Sequence, residues 1–138
     1  MMFDRIRRIG VETGIKFSFG GKTGNTRDSH RIIQLGKDKG KQTEVVEKLF
    51  AAYFENEQDI TDYEVLVKAA TDAGLEEKEA REWLNSDKGG QVVDRKVEEA
   101  RRKGISGVPN FTINKSHTLG GAQDPKEFIE VFESFATD

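Results

Sequence analysis

The sequence contains no cysteine, and that absence removes more chemistry than any residue present supplies. The chain cannot form a disulfide, hold a metal through a thiolate, or use a cysteine nucleophile or a Cys-x-x-Cys couple. Proline is nearly missing as well, and the two copies, Pro109 and Pro125, each fall where a segment begins. No apolar run approaches the roughly 18 residues that cross a bilayer. A mean hydropathy of -0.67 with 34% charged residues fits a soluble chain without a membrane partner. The first ten residues interleave Arg5, Arg7 and Arg8 with Ile6 and Ile9 and lack the apolar core and small-residue cleavage site of a secretory signal, so a cytoplasmic location is expected. A length of 138 residues suits one domain.

Charge is unevenly spread. Residues 1–41 carry a net charge of +6 and residues 42–138 carry -9. Such asymmetry can mark a nucleic-acid surface, but the basic residues are scattered and lack the interleaved aromatics that single-strand binding uses. A solvated face with no nucleic-acid partner is the simpler reading.

From Thr26 to Gly104 the pattern predicts consecutive amphipathic helices punctuated by glycine. Asn25 and Thr26 suit the cap of a helix carrying Ile32, Ile33 and Leu35, which stops at Gly36 or Gly40. A second helix opens at Thr43, and its stripe of Val45, Val46, Leu49, Phe50, Tyr53 and Phe54 reads as core. Thr61-Asp62-Tyr63-Glu64 has capping-box form and opens a helix ended by Gly74. A short helix from Glu76 to Leu84 contributes Trp83. Another begins near Ser86 or Asp87, presents Val92, Val93, Val97 and Ala100, and ends at Gly104.

At Gly104 the period changes. Asn110-Phe111-Thr112-Ile113-Asn114 alternates with period two, Lys115 and Ser116 turn the chain, and His117-Thr118-Leu119 returns toward Gly120-Gly121, which together predict a hairpin. In the last helix Asp124 is the cap, Pro125 the first helical position and Glu127 the partner of a capping box. Phe128, Val131, Phe132 and Phe135 form its apolar stripe, which should pack on the hairpin. At the other end, Phe3, Ile6 and Ile9 suit a helix ending at Gly10 or Gly14. Ile15-Lys16-Phe17-Ser18-Phe19 alternates strictly and reads as strand-like.

Few residues offer chemistry by themselves. His30 and His117 have no carboxylate beside them at metal-ligand spacing, so no metal site is expected, and a structural histidine is the simpler reading of each. Gly20-Gly21-Lys22-Thr23-Gly24 lacks the spacing of a phosphate-binding loop. Pro109 sits at a strand's first position, where no ladder hydrogen bond is lost. Composition alone favours the commoner trans form of the Val108-Pro109 bond.

Taken in order, several fragments resemble one family: Gly14-Ile15-Lys16-Phe17, Asn25-Thr26, His30, Leu49-Phe50-Ala51-Ala52-Tyr53-Phe54, Asp59-Ile60, Ala69-Ala70, Gly74-Leu75, Gly104-Ile105-Ser106-Gly107-Val108-Pro109 and Gly120-Gly121-Ala122-Gln123. Together they look like the DsbA family of thiol–disulfide oxidoreductases, in its FrnE-like branch. Relatives there include 2-hydroxychromene-2-carboxylate isomerases and kappa-class glutathione transferases. The resemblance implies an α/β class and a truncated thioredoxin-like fold over residues 1–138. Residues 1–104 would be the mainly helical insertion, and residues 105–138 a cis-proline loop, hairpin and C-terminal helix. It also implies a cis Val108-Pro109 bond.

In such relatives the backbone before the proline pairs with a bound thiol or peptide. Gly107, Val108 and Pro109 are therefore candidate binding residues, with Asn25 and Thr26 facing the cleft and Gly121 and Gln123 near a glutathione carboxylate. Gln123 stands where transferase-like relatives carry a Ser-Asp pair, which argues against glutathione, and no cofactor is expected. Relatives begin with a strand and a Cys-x-x-Cys site that have no counterpart here, so no catalytic residue is assigned. The expected function is a non-catalytic binding or regulatory remnant. The alternatives are a glutathione-dependent isomerase or transferase and a structural interaction module. Without a preceding strand, the edge from Asn110 to Asn114 lies open. A homodimer through that edge is expected in preference to a fold-back of residues 15–19.

Overall fold

The computed structural model describes residues 1–136 and divides into two compact units, Met1–Arg95 and the residues from Lys96 on. Among the described residues no helix is long and apolar enough to cross a membrane.

The first unit begins with α1 (Met2–Thr13), which ends where Gly14 turns left-handed at φ 79° and its amide bonds the Gly10 carbonyl. Then come α2 (Arg27–Asp38) and α3 (Gln42–Phe50), which runs into a π-helical turn over Ala51–Glu55, followed by α4 (Tyr63–Asp72) and α5 (Glu77–Leu84). The core joins α2 to α5: Ile32, Leu35, Val45, Leu49, Leu66, Ala70, Ala80 and Leu84 are all buried in one cluster. Each of the larger members contributes roughly 1.5–3 kcal/mol by leaving water. The boundary between the units falls inside α6 (Gly90–Arg102). The second unit continues with β1 (Asn110–Ile113), β2 (His117–Gly120) and α7 (Pro125–Phe135). β1 and β2 pair antiparallel, with Asn110 opposite Gly120 and Ile113 opposite His117.

Several predicted details shift. The segment 15–19 is not a strand. No neighbouring strand takes its hydrogen bonds; the Ser18 amide donates to the Phe54 carbonyl and the Lys16 amide to Glu55 Oε1. Its alternation has a different use, setting Phe17 edge-on to Phe54 with ring centroids 6.1 Å apart and Phe19 against Phe3 at 4.7 Å. Gly10 lets this fold-back happen, because a Cβ there would lie 2.6 Å from the Phe17 ring.

The Thr61 capping box is replaced by a cap at Asp62, whose carboxylate accepts from the Glu64 amide, while Thr61 bonds Asp59 and Glu64 pairs with Arg81 at 2.7 Å. The helix predicted near Ser86 starts at Gly90, since Gly89 turns left-handed at φ 76° beneath the Trp83 ring. Phe50, expected in the core, is 54% exposed. The α-helical register breaks at Ala51, where the Asn56 amide reaches back five residues to the Ala51 carbonyl at 3.1 Å. Val97, also expected inside, is exposed.

Glu57 holds the loop after this segment. Its carboxylate accepts from the Ser18 hydroxyl and from the Gly20 amide at 2.9 Å, and both bonds keep it below the ordinary value of 4.5. Glu64 and Asp94 are lowered in the same sense by Arg81 and Arg27. A carboxylate whose folded pKa is depressed stabilises the fold above its unfolded pKa, and that contribution disappears as pH falls through the folded value. Urea midpoints should therefore stay flat near neutrality and fall below pH 4.5. Glu57→Gln should shallow that acid fall; an unchanged acid slope in the variant would remove Glu57 from the explanation.

Candidate functional site

The second unit's cavity is built from one turn and one hairpin. Gly104 ends α6 at φ 73°, and residues 105–108 then run without regular structure to a cis Val108–Pro109 bond, the isomer the resemblance implied. Proline suits this place because β1 starts with the next residue and loses no ladder bond. Across the hairpin base the Gly121 amide donates to the Pro109 carbonyl at 2.7 Å, extending the pairing by one residue beyond Asn110 and Gly120. Gly121 does this at φ 81°, a conformation open to glycine.

Alternation along β1 then divides its residues between two faces. Phe111 meets Phe128 of α7 edge-on, with centroids 4.9 Å apart. Asn110 and Thr112 instead line an open cavity of about 670 Å³ together with Ser106, Gly107, Val108 and Thr118. Val108 is 91% exposed. Lys103 and Lys115 also lie on the cavity wall and make it cationic.

The candidate residues therefore separate into groups. Gly107, Val108, Pro109 and Gly121 come together around one turn. Gln123 lies just beyond and donates its side-chain amide to the Gly120 carbonyl at 2.8 Å, so its polar group already has work inside the loop. Asp124, next along, caps α7 by accepting from the Lys126 amide. Asn25 and Thr26 belong to the first unit and start α2. The Asn25 carboxamide oxygen accepts from the Arg27 amide at 2.9 Å, and the Thr26 carbonyl accepts from the Ser29 hydroxyl at 2.8 Å. The predicted side-chain cap from Thr26 is not formed. Its hydroxyl is displaced by the Asn25 carboxamide, which already serves the first helical amide. His30 Nδ1 lies 2.7 Å from the Thr26 carbonyl and can donate to it. Among the described residues no three His, Asp or Glu side chains gather where a metal ion could bind.

Two features were passed over by the sequence reading. Arg31 is buried at 2% exposure and bonds the carbonyls of Trp83, Ser86 and Lys88. Its place four residues before Leu35, on the apolar stripe of α2, was the available signal. The second is a cleft between residues 15–17 and the outer face of α3, which the exposure of Phe50 opens.

The hairpin, the cis-proline turn before it and the capped helix behind it are the C-terminal half of a thioredoxin-type unit, and the family comparison agrees. The family model of the DSBA-like thioredoxin domain matches residues 1–133. The chain belongs to that family. A comparison with curated proteins gives no match.

Among solved structures, this DSBA-like chain is similar to a "probable DsbA oxidoreductase" from Streptomyces coelicolor, with 26% identity and a TM-score of 0.88 over 98% of this chain. It is also similar to a "putative protein disulfide isomerase" from Nitrosomonas europaea, with 16% identity and a TM-score of 0.78 over 96% of this chain. At that lower identity the likeness speaks for the fold alone. The chain spans 60% of the length of the Streptomyces structure and 71% of the other.

Proposed function

We propose that this DSBA-like chain binds an extended, thiol-bearing peptide at the turn before β1 and performs no thiol–disulfide exchange with its own side chains. The observation that carries the reading is Val108, 91% exposed at the rim of a 670 Å³ cavity beside an open strand edge. An exposed backbone next to an unpaired edge offers main-chain hydrogen bonds to an extended ligand. The absence of cysteine supports the second half, because disulfide exchange starts from a thiolate and the chain has none. The same open edge supports a homodimer in the free protein, with β1 of one copy beside β1 of the other.

Titration with a cysteine-containing extended peptide, followed by backbone amide NMR, should shift Gly107, Val108 and Asn110. Reduced glutathione should shift them less, since Gln123 is already engaged with Gly120. Glutathione binding tighter than the peptide would favour a glutathione-dependent activity instead. In an insulin-reduction assay the mass-verified chain should match the uncatalysed rate; a faster rate would defeat the non-catalytic half of the reading.

A further inference from the structure

The first unit holds a second cavity of about 430 Å³ that the peptide-binding reading does not use. One wall comes from α3 and the π turn: Glu47, Phe50, Ala51, Phe54 and Glu55. The other wall is Ile15 and Phe17, brought over by the fold-back of residues 15–19. Phe54 lies edge-on to both other rings, at 84° to Phe17 and 63° to Phe50, with centroids 6.1 and 5.8 Å away. The three rings thus line the cavity at different inclinations, with Phe17 also stacked on Phe19 at 5.8 Å.

The charged residues that line this space have one sign. Glu47 and Glu55 are its charged lining residues, and no Lys or Arg lines it. Among the described residues Glu47 has no ion pair or hydrogen bond through its carboxylate, whereas Glu55 is held in place by the Lys16 amide at 3.0 Å. An apolar ligand would fill the cleft without answering the two carboxylates, and an anion would be repelled by them. A compact ammonium ion would not suit it either, because a strongly hydrated head loses more water than these rings replace.

We infer that the cleft between residues 15–17 and the outer face of α3 binds a small organic cation with an alkylated ammonium head. The rings solvate the diffuse charge by cation–π contact. Glu47 supplies the long-range attraction, and Glu55 the fixed carboxylate at the rim.

Choline is the probe, and its neutral isostere, the alcohol in which carbon replaces the ammonium nitrogen, is the control. With ¹³C-labelled phenylalanine, choline should move the Phe17, Phe50 and Phe54 ring signals saturably and bind roughly fivefold or more tightly than the isostere. Glu47→Gln should weaken choline by roughly threefold and leave the isostere unchanged, and Phe50→Leu should weaken choline roughly threefold more than it weakens the isostere. Trp83 fluorescence certifies that both variants are folded, since that residue belongs to the first unit's interior. Equal affinity for the charged and neutral probes, or no saturable shift, would overturn the inference. So would wild-type choline affinity in both folded variants.

Discussion

Replacing Arg31 with methionine should lower the stability of the first unit by about 3–5 kcal/mol, the cost of breaking a buried charged network on one side. That is a large share of the roughly 5–15 kcal/mol available to a domain, and it should lower the melting temperature by roughly 10 °C or more. The guanidinium lies at the C-terminal end of α5, where helix carbonyls lack intrahelical donors. Its Nε donates to the Lys88 carbonyl at 3.0 Å, one Nη to the Trp83 carbonyl at 2.7 Å and to Ser86, and the other Nη to Asp28 at 2.9 Å. The Trp83 indole returns a bond to the Arg31 carbonyl at 3.0 Å, so α2 and the end of α5 clasp each other in both directions.

Methionine fills much of the space but returns none of the guanidinium's hydrogen bonds to Asp28 and to the Trp83, Ser86 and Lys88 carbonyls. Lysine keeps the charge but cannot fork to three carbonyls, so Arg31→Lys should recover less than half of the loss. The single tryptophan reports directly on the clasp through its fluorescence during thermal unfolding. A melting temperature within a few degrees of wild type in Arg31→Met would show that water replaces the guanidinium without penalty.

In sedimentation at micromolar concentration the chain should run as a dimer, and Ile113→Lys should weaken the association by roughly tenfold or more. Among the described residues the sheet has two strands, and a two-stranded ribbon is marginal alone. The proposed dimer makes four strands about a two-fold axis. Apolar surface on the same unit is available to be covered, with Phe111, Ile129 and Phe132 at 38%, 53% and 56% exposure. A lysine at Ile113 would bring like charges close across the axis and present charge at the edge, a known means of blocking strand addition. A monomer at every concentration tested would refute the interface, and peptide binding at Val108 would then have to stand without it.

Elements whose signals are local could be read from the residues. Asp124 followed by Pro125 predicted where α7 starts, and Asp124 does accept from the Lys126 amide. Gly74 and Gly104 predicted stops, as did one of each pair Gly10 or Gly14 and Gly36 or Gly40; Gly14, Gly40, Gly74 and Gly104 take positive φ. The period-two run around Phe111 and Ile113 predicted the hairpin. The same alternation misled at residues 15–19, because period two describes which way side chains point and not which partner accepts the backbone bonds. The Lys16 and Ser18 amides go instead to Glu55 and Phe54, and the Ser18 hydroxyl goes to Glu57.

By itself, the sequence determined that this chain has no thiol chemistry and where most of its helices begin and end. Both follow from residue identity or from interactions within a turn or two. Tertiary structure alone decided that Arg31 lies inside, that Phe50 lies outside, and that the segment 15–19 lies beside α3 instead of in a sheet. Each of these depends on groups tens of residues away or on which face of α3, the Val45 and Leu49 face, meets the core. Local periodicity carries no record of such partners, because the free energy that fixes them is gained only when distant segments meet.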